Sequence, residues 1–104
     1  MVEITIFIPT ADNEGETFSP AHHLAFESFV TKRFGGLTKE TKEVEGLWQD
    51  QGRIYRDQNL VYHVAIGSIL DGGLLREVLS FAKEHYRQEA IFFRYLGIAE
   101  IFNG

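Results

Sequence analysis

The 104-residue sequence contains no cysteine, only two prolines and no long hydrophobic run. The absence of cysteine excludes disulfides, thiolate metal sites and cysteine nucleophiles. No segment approaches the roughly 18 consecutive apolar residues that a membrane-spanning helix requires. The first residues, Met-Val-Glu-Ile-Thr-Ile, lack the basic and apolar regions of a secretion signal, so we expect a cytoplasmic protein.

Basic residues are also scarce. Ten Lys and Arg stand against 15 Asp and Glu, which gives a formal net charge of −5, and Lys32-Arg33 is the longest basic run. Surfaces that bind nucleic acids or anionic membranes are normally rich in Lys and Arg. Neither nucleic acid nor membrane is therefore expected as a partner.

Sequence motifs that would name a reaction are missing as well. The chain has no G-x-S-x-G, no P-loop, no G-x-G-x-x-G and no H-E-x-x-H. Adjacent His22 and His23 would point about 100° apart on a helix, so they are unsuited to share one metal, and we predict exposed helix-end side chains. No cofactor and no metal site is predicted, and catalysis stays open.

The apolar content is sufficient for one hydrophobic core. Hydrophobic residues make up 44% of the chain and aromatic residues 13%. A chain of this length has room for one core, so we predict a single domain over residues 1–104.

The first half begins with a strand and a helix. Apolar β-branched residues alternate over residues 2–8, which predicts a strand that Pro9 ends. Ser19-Pro20 is typical of a helix start, and Gly35-Gly36 of a helix stop, so we predict a helix over residues 20–34.

A long hairpin follows. Residues 37–49 and 53–67 are extended segments around a turn that contains Gly52. The first arm is charged, as edge strands often are, and the second is apolar like a central strand. Pairing Gln49 with Arg53 would place Trp48 opposite Ile54. We expect the Trp48 side chain to lie in the core.

The second half ends with a helix and a strand. Asp71 is predicted to cap a helix over residues 72–86, and residues 90–102 form a last strand with a break near Gly97. The order β-α-β-β-α-β predicts an α+β, ferredoxin-like fold with a four-stranded antiparallel sheet and two helices on one face.

The other sheet face is predicted to be open and partly apolar, which is typical of a binding surface or a dimer interface. We therefore expect a homodimer and a possible small-molecule ligand. The predicted ligand-binding residues on this open face are Phe7, Tyr55, His63, Phe92 and Arg94. For Phe92 and Arg94 this assignment depends on the register of the last strand, which the sequence leaves ambiguous.

His63 and Arg94 are the polar members of this set. A histidine in an apolar strand could act as an acid or base, or could simply be satisfied at a dimer interface. Arg94 could pair with Glu3 across neighbouring strands, which we favour, or bind a carboxylate ligand.

Two functional hypotheses follow. The first is a homodimeric module that binds a small molecule or a protein through the open face without catalysis. The alternative is a small dimeric enzyme of the α+β-barrel type that uses His63, with Tyr55 or Arg94, in a sheet-lined cavity. This alternative requires that the His63 side chain faces a cavity and is not enclosed by other side chains.

Several short motifs lie in one part of the chain, residues 29–102. They are Phe34-Gly35-Gly36-Leu37-Thr38, Gly46-Leu47-Trp48, Gly52 and Tyr86-Arg87-Gln88-Glu89-Ala90. Together they resemble a family of short bacterial proteins known only as a domain of unknown function. The resemblance implies the ferredoxin-like fold and supplies no reaction and no catalytic residues.

Overall fold

The computed structural model describes residues 1–67, 72–96 and 98–104. It contains two helices and an antiparallel sheet, which confirms the predicted α+β, ferredoxin-like class. In chain order the elements are β1 (Val2–Pro9), α1 (Pro20–Phe34), β2 (Thr38–Lys39), β3 (Val44–Asp50), β4 (Arg53–Ile66), α2 (Gly72–His85), β5 (Ile91–Tyr95) and β6 (Ile98–Phe102).

The sheet has its most apolar strands at the centre. The strand order is β2-β4-β1-β5-β6, and β3 pairs with the first half of β4. As predicted, β1 and β4 are central, and their register places Thr5 opposite His63 and Phe7 opposite Val61. On the other side of β1, Thr5 pairs with Arg94 and Phe7 with Phe92.

The core lies between one sheet face and the two helices. Ile4, Ile6 and Ile8 of β1 are fully buried, because alternate side chains of a strand point to the same face. Each such side chain contributes about 1.5–3 kcal/mol by leaving water. Their neighbours in the core cluster include Phe26, Val30, Tyr62, Val64, Val78, Leu79, Ala82 and Tyr86.

Helix α1 has the predicted ends. The Ser19 hydroxyl accepts a hydrogen bond from the His22 N–H at 3.1 Å, and Pro20 occupies the first helical turn. Gly35 ends the helix with a φ of 84°, a conformation that only glycine adopts without strain.

The predicted hairpin register is wrong by one residue. Asp50 pairs with Arg53, so the turn has two residues, Gln51 and Gly52, both with positive φ. Two positive φ angles are the mark of a type I′ turn, whose twist matches that of the flanking strands. The shift places Trp48 opposite Tyr55 instead of Ile54, and Trp48 is half exposed rather than in the core.

Two predicted strands are each divided. Residues 37–49 form two short strands, β2 and β3, and the last segment is a hairpin of β5 and β6. Among the described residues the sheet therefore has six strands, and the predicted count of four is wrong. Leu96, with a φ of 52°, lies at the turn between β5 and β6.

The start of α2 is only partly described. The predicted cap Asp71 lies outside the described residues, and the helix ends at His85, one residue earlier than predicted. Within the described parts of the chain, neither helix is long and apolar enough to cross a membrane.

Candidate functional site: the open sheet face

The open face is the sheet surface opposite the two helices, and it forms a concave cleft of about 1330 Å³. The cleft is lined by the central strands, by the β3–β4 hairpin and by the segment that follows β1. The helices cover the other face, so odd-numbered side chains of β1 and β4 are directed towards the cleft. The five predicted ligand-binding residues, Phe7, Tyr55, His63, Phe92 and Arg94, all line it.

His63 faces this cleft and is bonded through both ring nitrogens. Nε2 lies 2.6 Å from Glu40 Oε2, and Nδ1 lies 2.9 Å from Thr5 Oγ1. Glu3 Oε1 lies farther away, at 3.7 Å from Nδ1. The His63 side chain keeps 24% of its surface exposed, so it is not packed dry.

Sequence reasoning missed Glu40 and Thr5 as partners of His63. Thr5 could have been found, because the predicted pairing of the central strands brings it beside His63. Glu40 follows the two-residue strand β2, for which the sequence shows no alternating pattern. Its backbone N–H donates to the Val61 carbonyl at 3.0 Å, and this bond places its carboxylate beside His63.

A partly buried polar network on the opposite face holds β2 in place. The Tyr62 hydroxyl donates to Glu27 at 2.6 Å, and the Lys39 ammonium donates to the same carboxylate oxygen at 2.9 Å. Burial raises the pKa of Glu27, but these two hydrogen bonds together with the nearby charges of Lys39 and His23 outweigh burial and hold the pKa below its ordinary value. The network ties β2 to α1 directly next to Glu40.

Arg94 lies in the same cross-strand row as Thr5 and His63. Its guanidinium is 5.0 Å from the centre of the Phe7 ring, a cation–π contact. The predicted ion pair with Glu3 is absent, and Arg94 forms no ion pair with any described residue. Glu3 is directed towards His63 instead.

Two aromatic pairs flank the polar row. Phe7 and Phe92 lie on neighbouring strands with ring centres 5.0 Å apart, and Phe92 remains 37% exposed. Trp48 stacks on Tyr55 at 4.5 Å with an interplanar angle of 17°. The Trp48 indole N–H donates to Asp57 at 2.7 Å, which fixes the plane of the ring. The cleft thus offers aromatic surfaces at two places.

The prediction of exposed helix-end histidines is wrong. His23 is buried, and its Nδ1 lies 2.7 Å from the Tyr86 hydroxyl. His22 stacks on His85 with ring centres 3.7 Å apart, and each ring bonds the backbone carbonyl of the other residue. Within the described residues, no group of three or more potential ligands could hold a metal ion there. These side chains join α1 to α2.

Comparisons with known proteins show the fold. No protein-family model and no curated protein sequence matches the chain, so the resemblance to a bacterial family of unknown function is not confirmed. A phage SAM lyase in complex with S-methyl-5'-thioadenosine matches with a TM-score of 0.70 and 15% identity, over 97% of this chain and 86% of that one.

Two further solved structures are similar. The phage SAM lyase in its apo state gives a TM-score of 0.67 at 13% identity, again over 97% of this chain and 86% of that chain. The divalent cation tolerance protein CutA1 of Thermus thermophilus gives 0.62 at 16% identity, over 95% and 84%. At these identities the similarity shows that the chain shares the ferredoxin-like α+β fold of both proteins.

Proposed function

We propose that this protein binds a small molecule in the cleft of its open sheet face, and that it does so as a homodimer. The observation that carries the proposal is the position of Arg94, a guanidinium without an ion pair among the described residues, in a concave surface lined by exposed aromatic rings. Pockets with mainly apolar walls and a few convergent polar groups are typical small-molecule sites.

The chemistry of the lining defines the class of ligand. The Phe7–Phe92 and Trp48–Tyr55 pairs can stack a flat ring, and each aromatic contact is worth about 0.5–1.5 kcal/mol. Arg94 supplies a forked donor that suits a carboxylate or another anionic oxygen. The expected ligand has one flat ring and at least one oxygen acceptor.

Binding is tested with two probes and with the protein as purified. S-methyl-5'-thioadenosine is one probe, because a protein of the same fold is described in complex with it, and a simple aromatic carboxylate such as benzoate is the other. Calorimetric titration should show saturable binding of at least one probe. Native mass spectrometry of the purified protein should show whether a ligand copurifies.

Matched variants locate the site. Phe92→Ala and Arg94→Gln should each weaken binding by at least about tenfold, which corresponds to 1.4 kcal/mol. Leu24→Ala removes a large apolar side chain, and Arg76→Gln removes a guanidinium, from the helices and away from the cleft. Both variants should bind as the wild type does. Failure of both probes, together with no copurifying ligand, would contradict the proposal.

A further inference from the structure

Three side chains from separate parts of the chain form a continuous hydrogen-bonded array in the cleft. Glu40 contacts His63 Nε2 at 2.6 Å, and His63 Nδ1 contacts the Thr5 hydroxyl at 2.9 Å. All three residues line the cleft, and His63 and Thr5 are held side by side by the β1–β4 register. The binding role proposed above rests on Arg94 and the aromatic pairs and does not use this array.

Glu40 determines which ring nitrogen of neutral His63 carries the hydrogen. A carboxylate is an acceptor only, so the ring nitrogen that faces it carries a hydrogen. In the neutral ring, Nδ1 is then the unprotonated nitrogen and accepts from the Thr5 hydroxyl. This assignment follows from the hydrogen-bond network, and it makes Glu40 the residue that orients the base and His63 the base itself.

We propose that Thr5, His63 and Glu40 form a nucleophilic relay that transfers an acyl group from a small ester to the Thr5 hydroxyl. The general signature of such a relay is a hydroxyl within hydrogen-bond reach of a base that a third group orients. The Thr5–His63 and His63–Glu40 distances both meet it. Two carboxylates, Glu40 and Glu3, lie close enough to stabilise the imidazolium that forms when His63 accepts the proton.

Arg94 completes the site. Arg94 pairs with Thr5 across the β1–β5 ladder, and Thr5 pairs with His63 across the β1–β4 ladder. Side chains of directly paired residues lie on the same face of the sheet, so all three face the cleft. In this relay the Arg94 guanidinium would supply the positive charge that stabilises the ester oxygen as that oxygen gains negative charge. Phe7 and Phe92 in the next row would hold the apolar part of the ester.

The reaction balances with water as the only co-reactant. The bond from Thr5 Oγ to the carbonyl carbon forms, the bond from that carbon to the leaving oxygen breaks, and the Thr5 proton passes through His63 to the leaving alcohol. Water then attacks the acyl carbon and gives one proton to His63. The bond to Oγ breaks, Oγ takes the proton back, and the carboxylic acid is released.

The test uses p-nitrophenyl acetate and the full chain. The wild type should release nitrophenol faster than buffer, and peptide mass spectrometry after rapid acid quenching should find an acetyl group on Thr5. Thr5→Val and His63→Gln should lower the rate by about 100-fold, the usual contribution of such groups. Thr5→Ser should retain activity, because the hydroxyl remains.

Glu40 acts through His63 and needs its own readout. Glu40→Gln should lower kcat and leave KM unchanged, because Glu40 does not touch the ester, and Glu40→Asp should recover part of kcat. The matched controls are Thr38→Val, which removes a hydroxyl from a residue paired with His63 but outside the cleft lining, and Glu43→Gln on the exposed surface. Both should hydrolyse the ester at the wild-type rate, and circular dichroism should show that all variants are folded.

Three results would overturn the relay. They are a wild type no faster than buffer, a folded Thr5→Val variant with the wild-type rate, or an acetyl group found only on other residues. A wild type that binds a probe in the cleft but leaves the ester intact would refute the relay alone. A wild type that acylates Thr5 but binds neither probe would refute only the proposed ligand class.

Discussion

His23 shows what a single residue contributes and how its role escapes sequence analysis. Two adjacent histidines in a first helical turn are typical of an exposed helix end, and no pattern in the sequence distinguishes one from the other. The tertiary structure does, because Phe18 and Tyr86 cover His23 from outside its own helix. Burial lowers the pKa of His23 below the ordinary value of 6.5, and nearby Lys39, His22 and His85 act in the same direction against Glu27.

The lowered pKa of His23 makes stability depend on pH. Below about pH 6.5 the unfolded chain binds a proton that the folded protein resists, so the free energy of unfolding falls as the pH falls. His23→Gln can still accept from Tyr86 but does not titrate. Urea denaturation from about pH 7 to pH 5 should therefore give a smaller loss of stability for the variant than for the wild type. The other histidines are present in both proteins, so equal slopes would contradict the assignment.

The sequence predicted some residues of the cleft better than others. Phe7 and His63 follow from the period of two along strands whose inner faces are apolar. Phe92 and Arg94 were assigned to the open face although the sequence left the register of the last strand ambiguous, because both of its faces carry apolar residues. Tyr55 was assigned to the correct face, but its stacking partner Trp48 was not, because a one-residue change in the turn moves every partner in the hairpin. Whether the five residues bind a ligand remains a prediction.

At the scale of elements, the two-residue hairpin turn sets the pairing register of β3 and β4. Gly52 has a φ of 79°, and a Cβ there would meet nothing within 4 Å. Gly52→Ala should therefore destabilise the protein by about 1 kcal/mol through backbone strain alone. Gly73→Ala is the matched control in helix α2, also with open space, and should stabilise the protein by about 0.5–1 kcal/mol. Urea denaturation measures both, and a neutral Gly52→Ala would contradict the strained turn.

The division of strands was the main limit of prediction at this scale. The sequence indicates extended structure over residues 37–49 and 90–102, and most of both segments is extended. It does not show where a strand leaves one neighbour and joins another. That choice depends on the pairing partner: β2 and β3 both pair with β4, at different places, and β6 folds back onto β5.

At the scale of the whole molecule, large apolar side chains remain in water at both ends of the sheet. Ile54 at the hairpin is 68% exposed, and Ile98 and Ile101 on the edge strand β6 are 57% and 66% exposed. An uncovered apolar edge strand favours association, and a symmetric dimer is the commonest way to cover one. This pattern supports the homodimer in the proposed function.

Light scattering after size-exclusion chromatography tests the assembly. The wild type should elute with twice the mass of the chain, and Ile101→Asp should give a monomer, because a charge at the interface opposes association. Leu24→Asp places the same charge on an equally exposed position of α1 and should remain dimeric. A wild type that is monomeric at every concentration would contradict the homodimer.

The two halves of strand β4 have different strand partners. From Asn59 to Ile66 it pairs with β1, and β2 pairs with its Tyr62 and His63 on the other side. From Arg53 to Gln58 it pairs with β3 alone among the described strands. Local opening of residues 53–58 breaks hydrogen bonds to one strand, whereas opening of residues 59–66 would break hydrogen bonds at the centre of the sheet. Opening of the hairpin end would therefore leave the pairing of Thr5 with His63 intact.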